Sequence, residues 1–166
     1  YYRAAKTVLQ LNGILIPMLS GRVYSPWPRT TTRINDDYYT VDDRLAVRDL
    51  GAFAKQPERI LEILEIWQSR RDLTGLAPKT LRAWWAAAQQ SGKRLADNET
   101  NRRRFIGFFQ HGTGLTALMR HLNLYGILAH YLPQWKPIVG LLQHDLFHIY
   151  PVDDHILTVL SHTRRL

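Results

Sequence analysis

The sequence predicts a mainly α-helical fold, a helical bundle with one short β-hairpin, on two observations. From Pro57 onward, apolar residues recur every three or four positions, and proline and glycine divide this pattern into segments of helix length. The alternation that is typical of strands is centred on Asp42-Asp43. With 166 residues, 45% apolar and 22% charged, the chain is long enough to bury a core and too apolar to be disordered throughout.

The first part of the chain is predicted to contain a helix, a loop and the hairpin. Residues 20–33 hold a glycine, two prolines and three consecutive threonines, which predict an exposed loop. Residues 38–41 and 44–47 flank the acidic pair Asp42-Asp43, and their alternation predicts a hairpin with a two-residue turn. Residues 1–19 are predicted to form an amphipathic helix from apolar residues spaced three and four apart, namely Val8, Leu9, Leu11, Ile14, Leu15, Met18 and Leu19.

The remaining chain is predicted to be helical, with its breaks marked by residues that suit helix ends. Proline fits a first helical turn because the N–H that it lacks has no partner there, and asparagine caps a helix with its side chain. We therefore expect helices to begin near Pro57, Pro78, Asn98, Leu115, Tyr125 and Val152, with a turn bracketed by Pro133 and Pro137. The aromatic residues at helical spacing are predicted to be core: Trp84, Trp85, Phe105, Phe108 and Phe109.

Charge and composition narrow the classes of partner. The net charge of +8 suggests an acidic partner, such as a nucleotide, a nucleic acid or an acidic protein surface. The densest basic cluster is Arg102, Arg103 and Arg104, but no basic stripe is interleaved with aromatics, so we favour solvated surface over a nucleic-acid interface. The absence of cysteine excludes disulfides and thiolate zinc ligands and is compatible with a cytoplasmic protein. No apolar run reaches the roughly 18 to 20 residues that span a bilayer.

His155 is the candidate metal ligand. It lies just inside the start of the last predicted helix, beside Ile156, Val159 and Leu160, which we expect to face inward. An imidazole there could reach a metal held in a helix bundle, although spacing alone favours a capping or core histidine. His162 follows seven positions later, about 10 Å along the helix axis, which is too far to share one ion.

Two further histidine patterns are weaker. His144-Asp145 spells a doublet found in metal-dependent hydrolases, but it precedes His155 instead of following it, so we interpret Asp145 as structural and His144 as incidental. His144 and His148 also have the spacing of a zinc-protease helix. That motif needs a glutamate as its general base, and Pro151 ends the helix soon afterwards.

The acidic pairs Asp36-Asp37 and Asp42-Asp43 resemble the metal carboxylates of nucleotidyltransferases only in composition. Those enzymes place a glycine-containing turn before their paired aspartates, and no such turn occurs here. We therefore interpret both acidic pairs as turn-forming residues. The sequence also holds no glycine-rich phosphate loop, no serine nucleophile elbow and no cysteine nucleophile.

Several separated stretches, in order, resemble the family of bifunctional uridylyltransferase/uridylyl-removing enzymes. The most specific are Tyr-Leu-Pro-Gln-Trp at 131–135 and the run from Gln143 to His155, which is similar to the family pattern Gln-x-Asp-Leu-Phe-His-x-Tyr-x-Val-Asp-x-His. Pro151 stands where the family usually has threonine, and the loop at 20–33 looks idiosyncratic. The resemblance extends over essentially the whole chain through residues 3–12, 34–38, 53–58, 73–82 and 118–128.

The resemblance implies a two-headed enzyme of which this chain is a central piece. One head transfers UMP from UTP to a tyrosine of the PII signalling protein with Mg²⁺, and an HD hydrolase head removes it with Mn²⁺ or another divalent ion, in response to glutamine. Residues 1–56 would end the nucleotidyltransferase half, 57–150 would form a helical connector, and 151–166 would begin the HD domain. By match to the motif, His155 is the first ligand of the HD metal, which lowers the pKa of a bound water for attack on phosphorus.

No catalytic residue of the transferase is present in the chain, so the piece alone is expected to be inactive in both directions. Two alternatives stay open on the sequence. One is a relative of the enzyme that adenylylates glutamine synthetase, which has a second transferase head in place of the HD domain. The other is a basic helical module that docks a protein or nucleic acid without catalysis.

Overall fold

The computed structural model describes residues 2–23, 30–91, 94–142 and 150–163, with the backbone alone at residues 3, 20–23 and 94. The fold is mainly α-helical with one small sheet, which confirms the predicted class. The strands are β1 (Thr31–Arg33), β2 (Tyr38–Val41), β3 (Arg44–Val47) and β4 (Gly75–Leu76). The helices are α1 (Tyr2–Val23), α2 (Ala52–Lys55), α3 (Arg59–Ser69), α4 (Pro78–Ser91), α5 (Arg94–Asp97), α6 (Glu99–Gln110), α7 (Leu115–Leu124), α8 (Ile127–Tyr131), a 3-10 helix (Pro133–Ile138) and α9 (Val152–Thr163).

The predicted hairpin is confirmed. β2 and β3 are antiparallel, with Tyr38 opposite Val47 and Val41 opposite Arg44, so that Asp42 and Asp43 form a two-residue turn. Both turn residues are left-handed, with φ of 49° and 59°. Two consecutive positive φ angles match the right-handed twist of a hairpin, and aspartate tolerates them better than most side chains do. The acidic pair therefore serves the turn, as the sequence indicated.

The predicted loop over residues 20–33 is wrong at both ends. α1 continues to Val23, because a glycine inside a helix costs only about 1 kcal/mol relative to alanine and does not end it. β1 pairs antiparallel with β2, and all three of its residues are exposed, so it has no buried face for alternation to reveal. β4 pairs in parallel with β3 and completes a sheet of order β1-β2-β3-β4.

The core lies between the sheet and the helices α3, α4 and α7. Trp84 is fully buried, and its indole N–H donates to the carbonyl of Ile60 at 2.8 Å, which joins α4 to α3. Asn98 caps α6 as predicted, accepting from the Asn101 N–H at 3.1 Å. The predicted core set holds for Trp84 and Phe108, and Trp85 and Phe105 pack partly against it. Phe109 is 44% exposed, because Phe108 occupies the buried position of α6.

α1 buries one narrow face and leaves most of its apolar residues uncovered. Ile14 is buried, while the exposed ones are Val8, Leu9, Leu11, Leu15, Ile16 and Leu19. The predicted helix is therefore confirmed, while most of its apolar stripe lies on the side that faces away from this bundle. The helix packs on α4 and α7, and Gln10 donates to the backbone carbonyl of Leu124. No helix in the described part of the chain is long and apolar enough to cross a membrane.

Gly13 lets α1 approach Tyr125 closely, since an added Cβ would overlap the tyrosine hydroxyl. Gly107 in α6 has open space at the same position. We predict that Gly13→Ala lowers the free energy of unfolding by about 1 to 2 kcal/mol, because the clash outweighs the gain in helix propensity. Gly107→Ala is the matched control and should raise it by up to about 1 kcal/mol. Urea unfolding followed by circular dichroism measures both, and equal shifts would contradict the close approach.

Candidate functional site

His155 lies in the first turn of α9, with its side chain exposed and its backbone N–H donating to the carbonyl of Pro151 at 2.9 Å. The predicted start of the helix at Val152 is confirmed. The imidazole is thus carried by the first turn of a regular helix, at an exposed position.

The predicted inward face of α9 is corrected by the structure. Ile156 and Val159 are 40% and 48% exposed, and the buried residues are Asp153 and Leu157, with Leu160 packing partly behind them. These three residues are spaced four and three apart, so they form one side of the helix, packed against α7. Apolar spacing alone selects the wrong side for Ile156 and Val159, because it takes no account of a carboxylate that the fold buries and pairs.

Asp153 is a buried carboxylate with both oxygens in use, and only 5% of its side chain is exposed. Oδ1 accepts from the backbone N–H of Gly140 at 3.0 Å, and Oδ2 accepts from Nδ2 of Asn123 at 2.9 Å. The ammonium of Lys6, reaching from α1, lies 3.7 Å from Oδ2. A buried charge is tolerated only when it is paired and hydrogen-bonded, and Asp153 meets both conditions.

Asn123 extends these contacts to two further elements. Its Oδ1 accepts from the indole N–H of Trp135 at 2.9 Å and from Lys6 at 3.4 Å. We refer to Lys6, Asn123, Trp135, Gly140 and Asp153 as the Asp153 cluster. It joins α1, α7, the 3-10 helix and the first turn of α9 at one point, two residues before His155.

Burial and nearby charges both shift the pKa values of the ionisable groups around the cluster. Desolvation lowers the pKa of Lys6, while the negative charges of Asp153 and Asp154 raise it. Burial raises the pKa of the Asp154 carboxyl, and the neighbouring Asp153 raises it further, against the positive charges of Lys6 and Arg120. Asp153 is therefore the carboxylate whose negative charge the fold pairs and hydrogen-bonds. The negative charge of Asp154 is disfavoured by the adjacent Asp153.

The described residues do not form a complete metal centre by themselves, since they contain no group of three histidine, cysteine or acidic side chains in reach of one ion. His155 supplies one exposed imidazole, and His162 is exposed at the far end of α9. His144, Asp145 and His148 lie outside the described residues. A single imidazole is a fraction of the donor set that a divalent ion needs.

The arginine cluster at 102–104 is engaged within the fold. Arg102 donates to the carbonyls of Ala96 and Asp97 at the end of α5. Arg103 pairs with Glu99, and Arg104 contacts Glu65 of α3 at 3.1 Å as well as the carbonyl of Glu58. These contacts tie α6 to its neighbours. They favour a structural role for the cluster over the docking module considered from the sequence.

His121 is an enclosed histidine that no motif in the sequence singled out. Its ring is surrounded by those of Trp67 at 4.9 Å, Tyr125 at 4.8 Å and Trp84 at 5.4 Å. Nε2 has no hydrogen-bond partner among the described residues, and burial lowers the pKa of His121 to about 4. Its position in the stripe of Leu118, Leu122 and Tyr125 could have revealed its burial.

The structure therefore defines a helical domain with a small sheet and an exposed histidine on an anchored helix. The chain belongs to the family described as "Uridylyltransferase GlnD third domain", whose model matches residues 38–131. The matched segment begins with β2 and ends with α8, so it contains Asn123 and none of the other residues of the Asp153 cluster. The predicted domain boundaries at 56 and 150 stay predictions.

Curated relatives carry the name bifunctional uridylyltransferase/uridylyl-removing enzyme. The chain is 57% identical to that of Neisseria meningitidis serogroup B over 166 residues, which is all of this chain and 20% of the relative. It is 47% identical to that of Chromobacterium violaceum and 38% identical to that of Aromatoleum aromaticum, over 99% of this chain and 19% of each relative. The chain thus spans about a fifth of the length of these relatives. No solved structure matches it.

Proposed function

We propose that the chain is the connector between the two heads of a bifunctional enzyme in nitrogen signalling. One head transfers UMP from UTP to PII, and the other hydrolyses UMP from modified PII, with glutamine as the effector. The strongest support for the proposal is that essentially the whole of this chain matches relatives named bifunctional uridylyltransferase/uridylyl-removing enzyme. The chain covers a fifth of their length, so the transferase residues and their Mg²⁺ belong to other parts of the enzyme.

We further propose that α9 opens the HD hydrolase domain and that His155 supplies its first metal ligand. The supporting observation is the exposed imidazole on a first turn whose preceding residues are fixed by the Asp153 cluster. The remaining ligands come from outside the described residues, and the ion is Mn²⁺ or another divalent cation. Preorganised ligands of this kind depend on the contacts that orient them.

His155→Ala in the full-length enzyme tests the proposal. We expect uridylyl removal from modified PII to fall about 100-fold or more, since losing a ligand exceeds the 10- to 100-fold effect of losing its supporting contacts. Uridylyl transfer should be unchanged. His162→Ala, at the exposed far end of the same helix, is the matched control and should leave both activities intact. Unchanged removal in His155→Ala would reduce His155 to a residue of the helix start.

The 166-residue chain alone is predicted to show neither activity and to bind Mn²⁺ and Zn²⁺ more weakly than micromolar. The reason is that the described residues contain no group of three histidine, cysteine or acidic side chains that could hold one ion. Isothermal titration of the chain with each metal measures this affinity. Stoichiometric micromolar binding that disappears in His155→Ala would contradict the prediction.

A further inference from the structure

The side chain of Lys6 crosses from α1 to the start of α9. α1 packs on α4 and α7, and it reaches α9 through Lys6, whose ammonium lies 3.7 Å from Oδ2 of Asp153 and 3.4 Å from Oδ1 of Asn123. Only 20% of the Lys6 side chain is exposed, so the charge is held against the cluster and not in bulk solvent. The pairing is therefore more sensitive to geometry than a surface ion pair would be.

The position of α1 along α7 is fixed by two polar side chains one helical turn apart. Lys6 donates to Asn123, and Gln10 donates to the carbonyl of the next residue, Leu124. A shift of α1 along its axis would break both contacts and withdraw the ammonium from Asp153. The opposite side of α1 is apolar and exposed at Val8 and Leu15, so contacts made there act on the same helix.

Asp153 transmits this position to His155. The carboxylate fixes the first turn of α9 from the side that faces the bundle, and His155 follows two residues later on that turn. Without the ammonium, Asp153 would keep the N–H of Gly140 and the amide of Asn123 but lose its charge partner. The first turn of α9 would then be held less firmly.

We propose that Lys6 is a positioning residue for uridylyl removal, acting through Asp153 on the direction of His155. The helix predicted to close the transferase half would in this way set the geometry of the hydrolase head. The inference rests on the proposed function, because it assigns a role to His155. Lys6 touches neither substrate nor metal, and its effect is confined to the orientation of α9.

The test uses the full-length enzyme with Lys6→Met, which keeps the length of the side chain and removes its charge. We expect kcat for uridylyl removal to fall about 10-fold with KM and uridylyl transfer unchanged, the size of effect seen when a supporting contact of a ligand is lost. Lys6→Arg should restore most of kcat, since it retains the charge. Lys79→Met, at an exposed position of α4, is the matched control and should change nothing.

A second readout does not depend on activity. In the 166-residue chain, amide hydrogen exchange in the first two turns of α9 should be several-fold faster in Lys6→Met than in the wild type, with exchange in α3 unchanged. If Lys6→Met expresses poorly, Lys6→Gln can replace it, because the glutamine side chain keeps a hydrogen-bond donor but carries no charge. Equal loss of both activities, or unaltered exchange in α9, would overturn the inference.

His155→Ala, assayed in parallel, separates the two levels of the argument. If His155→Ala abolishes removal while Lys6→Met leaves kcat unchanged, the inference about Lys6 fails and the proposed function stands. If His155→Ala itself retains removal, the proposed function fails, and the inference fails with it.

Discussion

Asp153→Ala is expected to lower the free energy of unfolding by about 3 to 5 kcal/mol, the range observed when one member of a buried ion pair is removed. The substitution removes the charge partner of the Lys6 ammonium and the acceptor of the Asn123 amide and the Gly140 N–H. Each of these donors was removed from water on folding, and none would regain a partner of equal quality. Urea unfolding at pH 7, followed by circular dichroism, measures the change.

Asp154→Ala is the matched control for this prediction. Asp154 is the next residue along the helix and is exposed as a residue, although partial desolvation of its carboxyl and the charge of Asp153 raise its pKa. Its removal relieves that repulsion but loses a favourable interaction with the helix dipole, so the stability should change by no more than about 0.5 kcal/mol. A similar loss in both variants would show that charge at the helix start, and not the Asp153 cluster, accounts for the effect.

The second large effect is a fall in the free energy of unfolding as the pH is lowered, caused by protonation of His121 in the unfolded chain. Burial lowers the pKa of this imidazole from 6.5 to about 4, so the folded chain binds the proton only below about pH 4, whereas the unfolded chain binds it below 6.5. The contribution is therefore fully present above pH 6.5 and is lost as the pH falls toward 4. The shift corresponds to about 3 kcal/mol of unfolding free energy at most.

Unfolding free energies at pH 7, 6, 5 and 4 measure this loss, and His121→Phe isolates it from other titrating groups. A phenyl ring suits the surrounding rings of Trp67, Trp84 and Tyr125 and carries no proton, so this variant should lose less stability between pH 6.5 and 4 than the wild type does. His162→Gln, at an exposed position, should follow the wild type. Parallel curves for the wild type and His121→Phe would exclude His121 as the source.

The elements whose conformation is set by residues close by in the sequence could be predicted from the sequence. The hairpin follows from alternation on either side of a two-residue acidic turn, and the cap of α6 follows from Asn98. Both are local choices of backbone conformation, made within a few residues. For the same reason the start of α9 at Val152 was predicted correctly, and with it the placement of His155 on a first turn.

The elements that were missed depend on distant partners. β4 consists of Gly75 and Leu76, and it exists because Arg44 and Leu45 of β3 lie beside it. β1 is exposed throughout, so its sequence shows no apolar alternation. Its strand conformation is seen only in its pairing with β2. Strands this short have no periodicity of their own, and their conformation is set by the neighbouring strand.

The candidate site shows the same division between local and distant causes. Apolar periodicity assigned Ile156 and Val159 to the inside of α9, whereas the structure buries Asp153 there. That choice becomes favourable only once Lys6 and Asn123, far away in the sequence, supply partners for the carboxylate. A buried polar cluster is therefore invisible to a pattern that scores each residue by its own hydrophobicity.

Locating the divalent ion in crystals of the full-length enzyme tests the central claim most directly. Crystals grown with Mn²⁺ and measured for anomalous scattering would place the ion independently of any activity. We expect an ion in the hydrolase head about 2.0 to 2.3 Å from a ring nitrogen of His155, within the range of metal–imidazole bonds. An ion bound by other histidines, with His155 out of coordination distance, would contradict it.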